Sequence, residues 1–352
     1  MSKNMSGIKR RGALVDVKRG CVELSHGSGG RAMMQLIDQV FLSAFDNELL
    51  AQKNDQACFN TEQGRMVMTT DSYVISPLFF PGGDIGCLAV HGTINDIAMS
   101  GAKPLYLSAS FILEEGFSLM DLQKIVQSMA AAARDANVKI ITGDTKVVER
   151  GKGDGVFITT TGIGVLAQPI NISADRAKPG DKVIISGYLG DHGVAVMSKR
   201  ENLSFFAPVE SDTAALHELV ATMIAAVPDI HCMRDPTRGG LASVLNEIAE
   251  QSQVGFMIEE NTLPIREVVA GACELLGLDP LYVANEGKLV AICKSADAEI
   301  LLAVMQKHPL GKHAALIGEV VADANCFVQM QTSFGGKRMV DWLAGEQLPR
   351  IC

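Results

Sequence analysis

Five short stretches of the chain set an acid beside glycine or at the end of an apolar run. They are "TTDS" with Asp71, "GTINDIAMSGA" with Asn95 and Asp96, "TGDTK" with Asp144 and Lys146, "LGDHG" with Asp191 and His192, and "RDPTRGG" with Asp235 and Arg238. Any one of them has an ordinary explanation, because Asp and Gly make good turns and caps. Five in one chain suit carboxylates projected from strand ends, which is what a hard cation needs. Mg2+ takes oxygen ligands and usually shares them with phosphate oxygens. Lys146 and Arg238 offer positive charge for those phosphates.

Three further features could carry chemistry. In "HGSGGRA", residues 26–32, Gly27, Ser28, Gly29 and Gly30 form a Gly-rich turn ahead of a helical pattern, and backbone amides so placed suit an anion. No GxxxxGK[ST] occurs, which excludes an ordinary P-loop. A loose GxGxxA through Gly27, Gly29 and Ala32 lacks the acid-ended strand that a dinucleotide fold places about 20 residues on. Glu286, in "ANEGKL", lies in an otherwise apolar strand region. If partly buried, it gains basicity by desolvation and suits a general base; if exposed in a turn, it does not. The sequence leaves those two readings equal. The last feature is the end, "LPRIC", where Cys352 carries the terminal carboxylate and no following chain can bury it.

Other candidates have plainer readings. Cys87 and His91 stand four apart on one helix face, the spacing of a packed core pair as well as of a metal pair. His308 and His313 flank "PLGK" and read as surface groups, while Cys273 reads as a small buried apolar residue. The eight cysteines contain no CxxC and no zinc-like pairing, the pattern of a reducing cytoplasm.

The elements that must position these residues mix strands and helices throughout. A helix pattern covers 31–45, with residues 46–64 as loop, and "RMVMTTDSYVI" reads as a strand ending at Asp71. A helix follows in "IGCLAVHGTINDIAMSGA", then a strand in "PLYLSASFIL". Ser118 opens a helix over 119–137, and "VKIITGDTKVV" and "VFITTTGIGVL" read as strands. The texture breaks at "AQPINISADRAKPGD". Beyond it lie strand "KVIISG", helices at 213–227 and 241–252, strand "GFMIEE", helix "IREVVAGACELLG", a strand pair in "LYVANEGKLVAIC", helix "AEILLAVMQKH" and strands "AALIGEVV" and "CFVQMQ". The class is α/β (α+β). The divisions are a basic leader at 1–20, one domain at 21–167, a second at 168–341 and a tail at 342–352.

With 352 residues and 47% hydrophobic content, two domains have ample core. A net charge of −9 sits on a body made still more acidic by the basic leader, which argues against a general nucleic-acid or anionic-membrane binder. No apolar run approaches the roughly 18 residues of a membrane span.

Taken in order, "HGSGG", "TTDSYVISPLFFPGGDIG", "GTINDIAMSGAKP", "TGDTKVV", "LGDHG", "RDPTRGGL", "CELLGLDPLYVANEGKL" and "PRIC" resemble the HypE family of hydrogenase-maturation factors. That family is part of the superfamily of aminoimidazole ribonucleotide synthetase, the PurM-like proteins, which also holds selenophosphate synthetase and thiamine-monophosphate kinase. The resemblance runs from about residue 21 to 352 and is silent on the leader. It implies a PurM-like two-domain fold, each domain a mixed sheet packed with helices, and a cytoplasmic homodimer paired through its N-terminal domains. It implies ATP and Mg2+ in the cleft, a partner carbamoyltransferase, HypF, and delivery to a HypC–HypD iron scaffold. The implied reaction is ATP-dependent dehydration of an S-carbamoyl group on the terminal cysteine to a thiocyanate, the source of cyanide for a [NiFe] centre.

On that reading Cys352, Glu286 and Lys146 are catalytic. Asp71, Asn95, Asp96, Asp144 and Asp235 face metal, and the Gly27–Gly30 turn, Asp191, His192 and Arg238 hold nucleotide. The alternatives are a PurM-like kinase or synthetase acting on a free small molecule, and a metallochaperone with Cys352 as a metal ligand.

Overall fold

The computed structural model describes residues 15–27, 31–50, 64–166, 169–202, 208–343 and 350–352. The first half runs α1 (Arg31–Leu36), a π-helical turn at Ile37–Leu42, α2 (Ser43–Phe45), β1 (Arg65–Tyr73), a small hairpin of β2 (Phe79–Phe80) and β3 (Gly83–Asp84), and α3 (Ile85–Met99). It continues through β4 (Lys103–Glu114), α4 (Leu119–Asp135), β5 (Lys139–Val148) and β6 (Val156–Leu166). Its sheet has the order β1-β6-β4-β5, parallel only between β4 and β5.

Alternation along the strands gives this sheet one covered and one open face. Leu107, Ala109, Phe111 and Leu113 of β4 are buried toward the helices. Their neighbours Ser108, Ser110 and Ile112 point the other way, with Met66 and Met68 of β1, and Met68 is 71% exposed. α3 lies on the covered face. It is apolar nearly all round, which is the pattern of a buried helix. Its start is fixed by Asp84, whose Oδ1 accepts from the amides of Gly86 (2.7 Å) and Cys87 (3.1 Å), a cap contributing about 1 kcal/mol. Gly92 lets α3 meet β1: a Cβ there would lie 2.3 Å from the Tyr73 hydroxyl. α4 begins at Ser118, whose Oγ accepts from Asp121 N, and buries Leu122, Ile125, Val126 and Met129.

After an irregular passage come β7 (Lys182–Ile185), α5 (Asp191–Arg200), α6 (His217–Ala226), β8 (Cys232–Arg234), α7 (Gly240–Ser252), β9 (Gly255–Glu259) and α8 (Glu267–Leu276). β10 (Val290–Cys293), α9 (Ala298–Lys307), β11 (Ala315–Val321), β12 (Val328–Gln331) and β13 (Lys337–Met339) complete the half. The seven-stranded sheet has the order β13-β12-β9-β11-β7-β10-β8, parallel only at β12–β9. Both of its faces are covered. Val183 and Ile185 pack with Leu241 and Leu245 of α7, while Ile184 packs with Leu219 and Leu301 of α6 and α9 and with Ile97 of α3. The two halves therefore share a core at α3–α6.

Several expectations need correction. β1 continues past Asp71 to Tyr73. Asp144 lies within β5 and Asp96 within α3, as the patterns indicated, whereas Asp71 stands inside β1 and not at its end. The strand pair expected over 281–293 is only β10, preceded by a 3-10 turn at Pro280–Tyr282, which leaves Glu286 in a loop. Residues 15–20 lead into the fold, with Val15 and Val17 packed against the first core, while residues 1–14 of the expected leader lie outside the described residues.

Candidate active site at the domain junction

The sequence-predicted residues separate into two groups. The first gathers where the halves meet. Asp71 on β1 and Asp96 on α3 face the same side as Thr69, whose hydroxyl donates to Asp96 Oδ2 at 2.7 Å. Asp235 and Arg238 follow β8, and Glu286 precedes β10. Burial raises the Asp96 carboxyl above its ordinary range, and the Asp71 charge adds to this against the Thr69 hydrogen bond. Asp235 is pushed up to about 7, first by desolvation and then by Asp96.

Glu286 is buried, and its Oε1 has no hydrogen-bond partner. Desolvation, then Asp235, Asp212 and Asp71, hold its carboxyl well above the usual range, and Arg238 opposes them. The sequence left Glu286 open between buried acid and exposed turn; it is a buried acid in a loop.

That loop is built tightly. Glu286 N donates to Asp212 Oδ1 at 3.0 Å, and the Asp212 carboxylate also pairs with Lys288 Nζ at 3.1 Å. A Cβ on Gly287 would lie 1.8 Å from Asp212 O, so only glycine fits there. Asn95, expected among metal ligands, spends its amide on backbone instead. Its Nδ2 donates to Ala214 O and Glu286 O, and its Oδ1 accepts from Leu216 N. It pins the loop across the domain junction.

The end of the chain lies in this cleft. Val74 N donates to Cys352 O (3.1 Å) and Ser76 N to Arg350 O (3.1 Å), so the tail lies alongside the segment that follows β1. Ile351 is buried in the first core. The Cys352 thiol is held far above its usual range by desolvation and by Glu286 and Asp71, against Arg238. His192, expected to hold nucleotide, is buried and directs Nε2 at Ile351 O (2.8 Å) and Nδ1 at Ser211 Oγ (2.7 Å). Asp191 sits behind it, paired with Arg266 at 3.3 Å, with Oδ1 unpartnered and its carboxyl raised to about 6 by burial.

The second group lies elsewhere. Asp144 pairs in register with Ser110, and Lys146 with Ile112, on the open face of the sheet. β5 is the strand farthest from β1. Lys146 Nζ pairs with Asp144 Oδ2 at 3.4 Å, and both side chains are more than half exposed. Gly27 packs on the same strand, where a Cβ would lie 2.8 Å from Val147 N. Ser28, Gly29 and Gly30 lie outside the described residues. Within one chain, therefore, Lys146 does not meet Glu286. The two groups lie on opposite faces of the sheet, with β6 and β4 between their strands.

Among the described residues, no three His, Cys, Asp or Glu side chains stand close enough to share one ion. The first group is nevertheless a concentration of negative charge with an unpartnered oxygen, Glu286 Oε1, and acids that raise one another. That fits Mg2+ held by one or two carboxylates plus phosphate oxygens and water. Cys87 and His91 are ordinary packing: Cys87 completes the start of α3 with Asp84, and His91 meets Thr213.

Residues 53–166 match the AIR synthase related protein N-terminal domain and residues 178–331 its C-terminal domain, so fold and cleft define a two-domain protein of the PurM-like class. The chain is 65% identical over 338 residues to carbamoyl dehydratase HypE of Azotobacter vinelandii, covering 96% of this chain and 99% of that one. It superimposes on a solved HypE in complex with ATP with a TM-score of 0.91 at 51% identity, over 94% of this chain and 99% of that one. HypE in a solved HypE–HypF complex matches at 52% identity and a TM-score of 0.77, over 88% of this chain and 99% of that one. The chain belongs to the HypE family of carbamoyl dehydratases, enzymes of hydrogenase maturation.

Asp212, Lys288 and Arg200, whose guanidinium donates to Arg350 O at 2.9 Å, escaped the sequence reading. Lys288 stood inside "ANEGKL" and could have been found there. Asp212 carried no signal, because its partner is 74 positions away.

Proposed function

We propose that the chain dehydrates an S-carbamoyl group on its own Cys352 to a thiocyanate at the expense of ATP, and that this supplies cyanide for the iron site of a [NiFe] hydrogenase. The observation that carries this reading is the seat of Cys352, held by Val74 N at 3.1 Å where its thiol feels the charges of Glu286, Asp71 and Arg238. An amide oxygen is a poor leaving group. In the proposed step it attacks the γ-phosphorus of ATP and releases ADP. The C–O bond then breaks, phosphate departs with that oxygen, the two N–H protons are lost and the C≡N bond forms. Glu286 takes a proton from nitrogen, which its desolvation favours, and Arg238 faces the developing phosphate charge. Mg2+ on one or two of Asp71, Asp96 and Asp235, completed by phosphate oxygens and water, would neutralise phosphate charge and ease the repulsion that keeps Glu286 protonated.

A solved HypE in complex with ATP supports ATP as co-substrate, and a solved HypE–HypF complex supports HypF as partner; carbamoyl transfer by HypF and delivery to a HypC–HypD scaffold are part of the same proposal. A cytoplasmic setting fits the described cysteines, all of them free. Homodimer formation through the open face, with its exposed Met66, Met68 and Ile112, would supply what one chain lacks. The Gly27 turn, Asp144 and Lys146 of one copy would serve the Glu286 cleft of the other. Intact mass after incubation with HypF, carbamoyl phosphate and ATP tests the reaction: one carbamoyl gain, then loss of one water only when ATP is present. A carbamoylated chain that keeps its water with ATP present overturns it.

A further inference from the structure

The seat of the last three residues reads main chain more than side chain. Each of residues 350–352 has a main-chain oxygen held by an N–H donor of the body. Arg350 O accepts from Ser76 N (3.1 Å) and from the Arg200 guanidinium (2.9 Å), Ile351 O from His192, and Cys352 O from Val74 N (3.1 Å). A carbonyl only accepts, so His192 Nε2 carries its proton and Nδ1 accepts from Ser211. Burial keeps that ring neutral and its tautomer fixed.

Two side chains add selectivity. Ile351 fills an apolar socket shared with Val196 of α5 and Ala284. Arg350 donates from Nε to Val74 O at 3.0 Å and pairs with Asp154. All of these contacts belong to residues 350–352. The chain before them raises the local concentration of the tail, and the seat itself needs no covalent link.

We propose that this seat is a separable binding site for a carboxyl-terminal Arg-Ile-Cys peptide, able to take one from solution and present its S-carbamoyl form for dehydration. This rests on the reaction proposed above for the second step only; binding of the unmodified peptide stands apart from it. The products in solution would be the S-cyano peptide, ADP and phosphate, by the same bond changes as for the tethered tail.

The test uses a chain ending at Pro349 and the synthetic peptide Leu-Pro-Arg-Ile-Cys. Calorimetry should give saturable one-to-one binding. The S-carbamoyl peptide should lose one water only with ATP. Replacing the peptide's isoleucine with aspartate should abolish binding. His192→Phe in the body should weaken it roughly tenfold, the loss of one buried hydrogen bond. If the shortened chain melts early, full-length Ile351→Asp, whose own tail cannot seat, replaces it.

No binding up to roughly 5 mM peptide by a body that still binds ATP overturns the proposal. Peptide binding without dehydration, in a preparation whose full-length chain converts its own tail, overturns the presentation step. Failure of the full-length chain to convert its own tail would instead sink the reaction, while the binding result still decides the seat.

Discussion

The two faces of the four-stranded sheet treat their acids differently. On the covered side, Asp71 and Asp96 crowd with Asp235 and Glu286, and desolvation with mutual repulsion lifts Asp96, Asp235 and Glu286 toward the neutral form. On the open side, Asp144 sits in solvent with Lys146 at its elbow. The same residue type thus becomes a candidate metal or proton site on one face and an ordinary solvated charge on the other. What separates them is the two-residue period of a strand and the side on which α3 happens to pack. The open face becomes chemically interesting only when something covers it.

The sharpest way to break this contrast is Glu286→Gln. The amide keeps the shape but cannot take the proton, so carbamoylated protein should accumulate, with dehydration lowered by roughly 10²–10⁴-fold. Unchanged conversion, followed by intact mass, would move the base elsewhere.

A second test asks whether the two faces cooperate across a dimer. Asp144→Ala and Glu286→Gln homodimers should each be inactive. Mixing them with subunit exchange should restore roughly a quarter of the wild-type rate, from random pairing in which each mixed dimer holds one intact cleft. If both groups act within one chain, mixing restores nothing.

A third concerns stability. Asp235 has a folded value near 7 against 3.8 for the ordinary carboxyl, so the native state binds more protons than the unfolded state between those values. Stability therefore falls as pH rises through that window. Asp235→Asn should raise the melting temperature relative to wild type at pH 8, and the gain should vanish by about pH 4. An equal gain at both pH values would mean that the carboxylate charge is not its source.

The smallest effect belongs to the open face. Within one chain, the exposed ion pair of Asp144 with Lys146 contributes little, so Asp144→Ala should change unfolding free energy by no more than about 0.5 kcal/mol in urea titrations under conditions that keep the chain monomeric. A larger loss under those conditions would mean that Asp144 is held by more than Lys146 within its own chain.

Much of this arrangement was legible. The mixed α/β class, the helix at Ser118 and the five acid motifs follow from periodicity and from residues whose neighbours in sequence declare them. The resemblance then supplied the two-domain frame. What stayed hidden depends on contacts between distant segments. Strand parity marks Asp71 and Asp144 as facing opposite ways only once their register with β6 and β4 is known. Asn95 looks like a ligand until the backbone of residues 214 and 216 occupies it. Glu286 was undecidable because its burial comes from Asp212 and the tail, not from its own flanks. His192 next to Asp191 resembled a nucleotide pair, but only the folded chain brings Ile351 to its ring.

The seat of Cys352 has a redox corollary. Thiolates, not thiols, react with peroxide and with electrophiles, and the docked sulfur is both desolvated and pressed by two carboxylates. At rest the chain therefore carries its reactive end sheathed. On the reaction proposed above, oxidants, alkylating agents and the carbamoyl donor would compete for whatever fraction of Cys352 leaves this seat. The rate at which a dilute electrophile labels Cys352 would then set a ceiling on how often the chain could be reloaded.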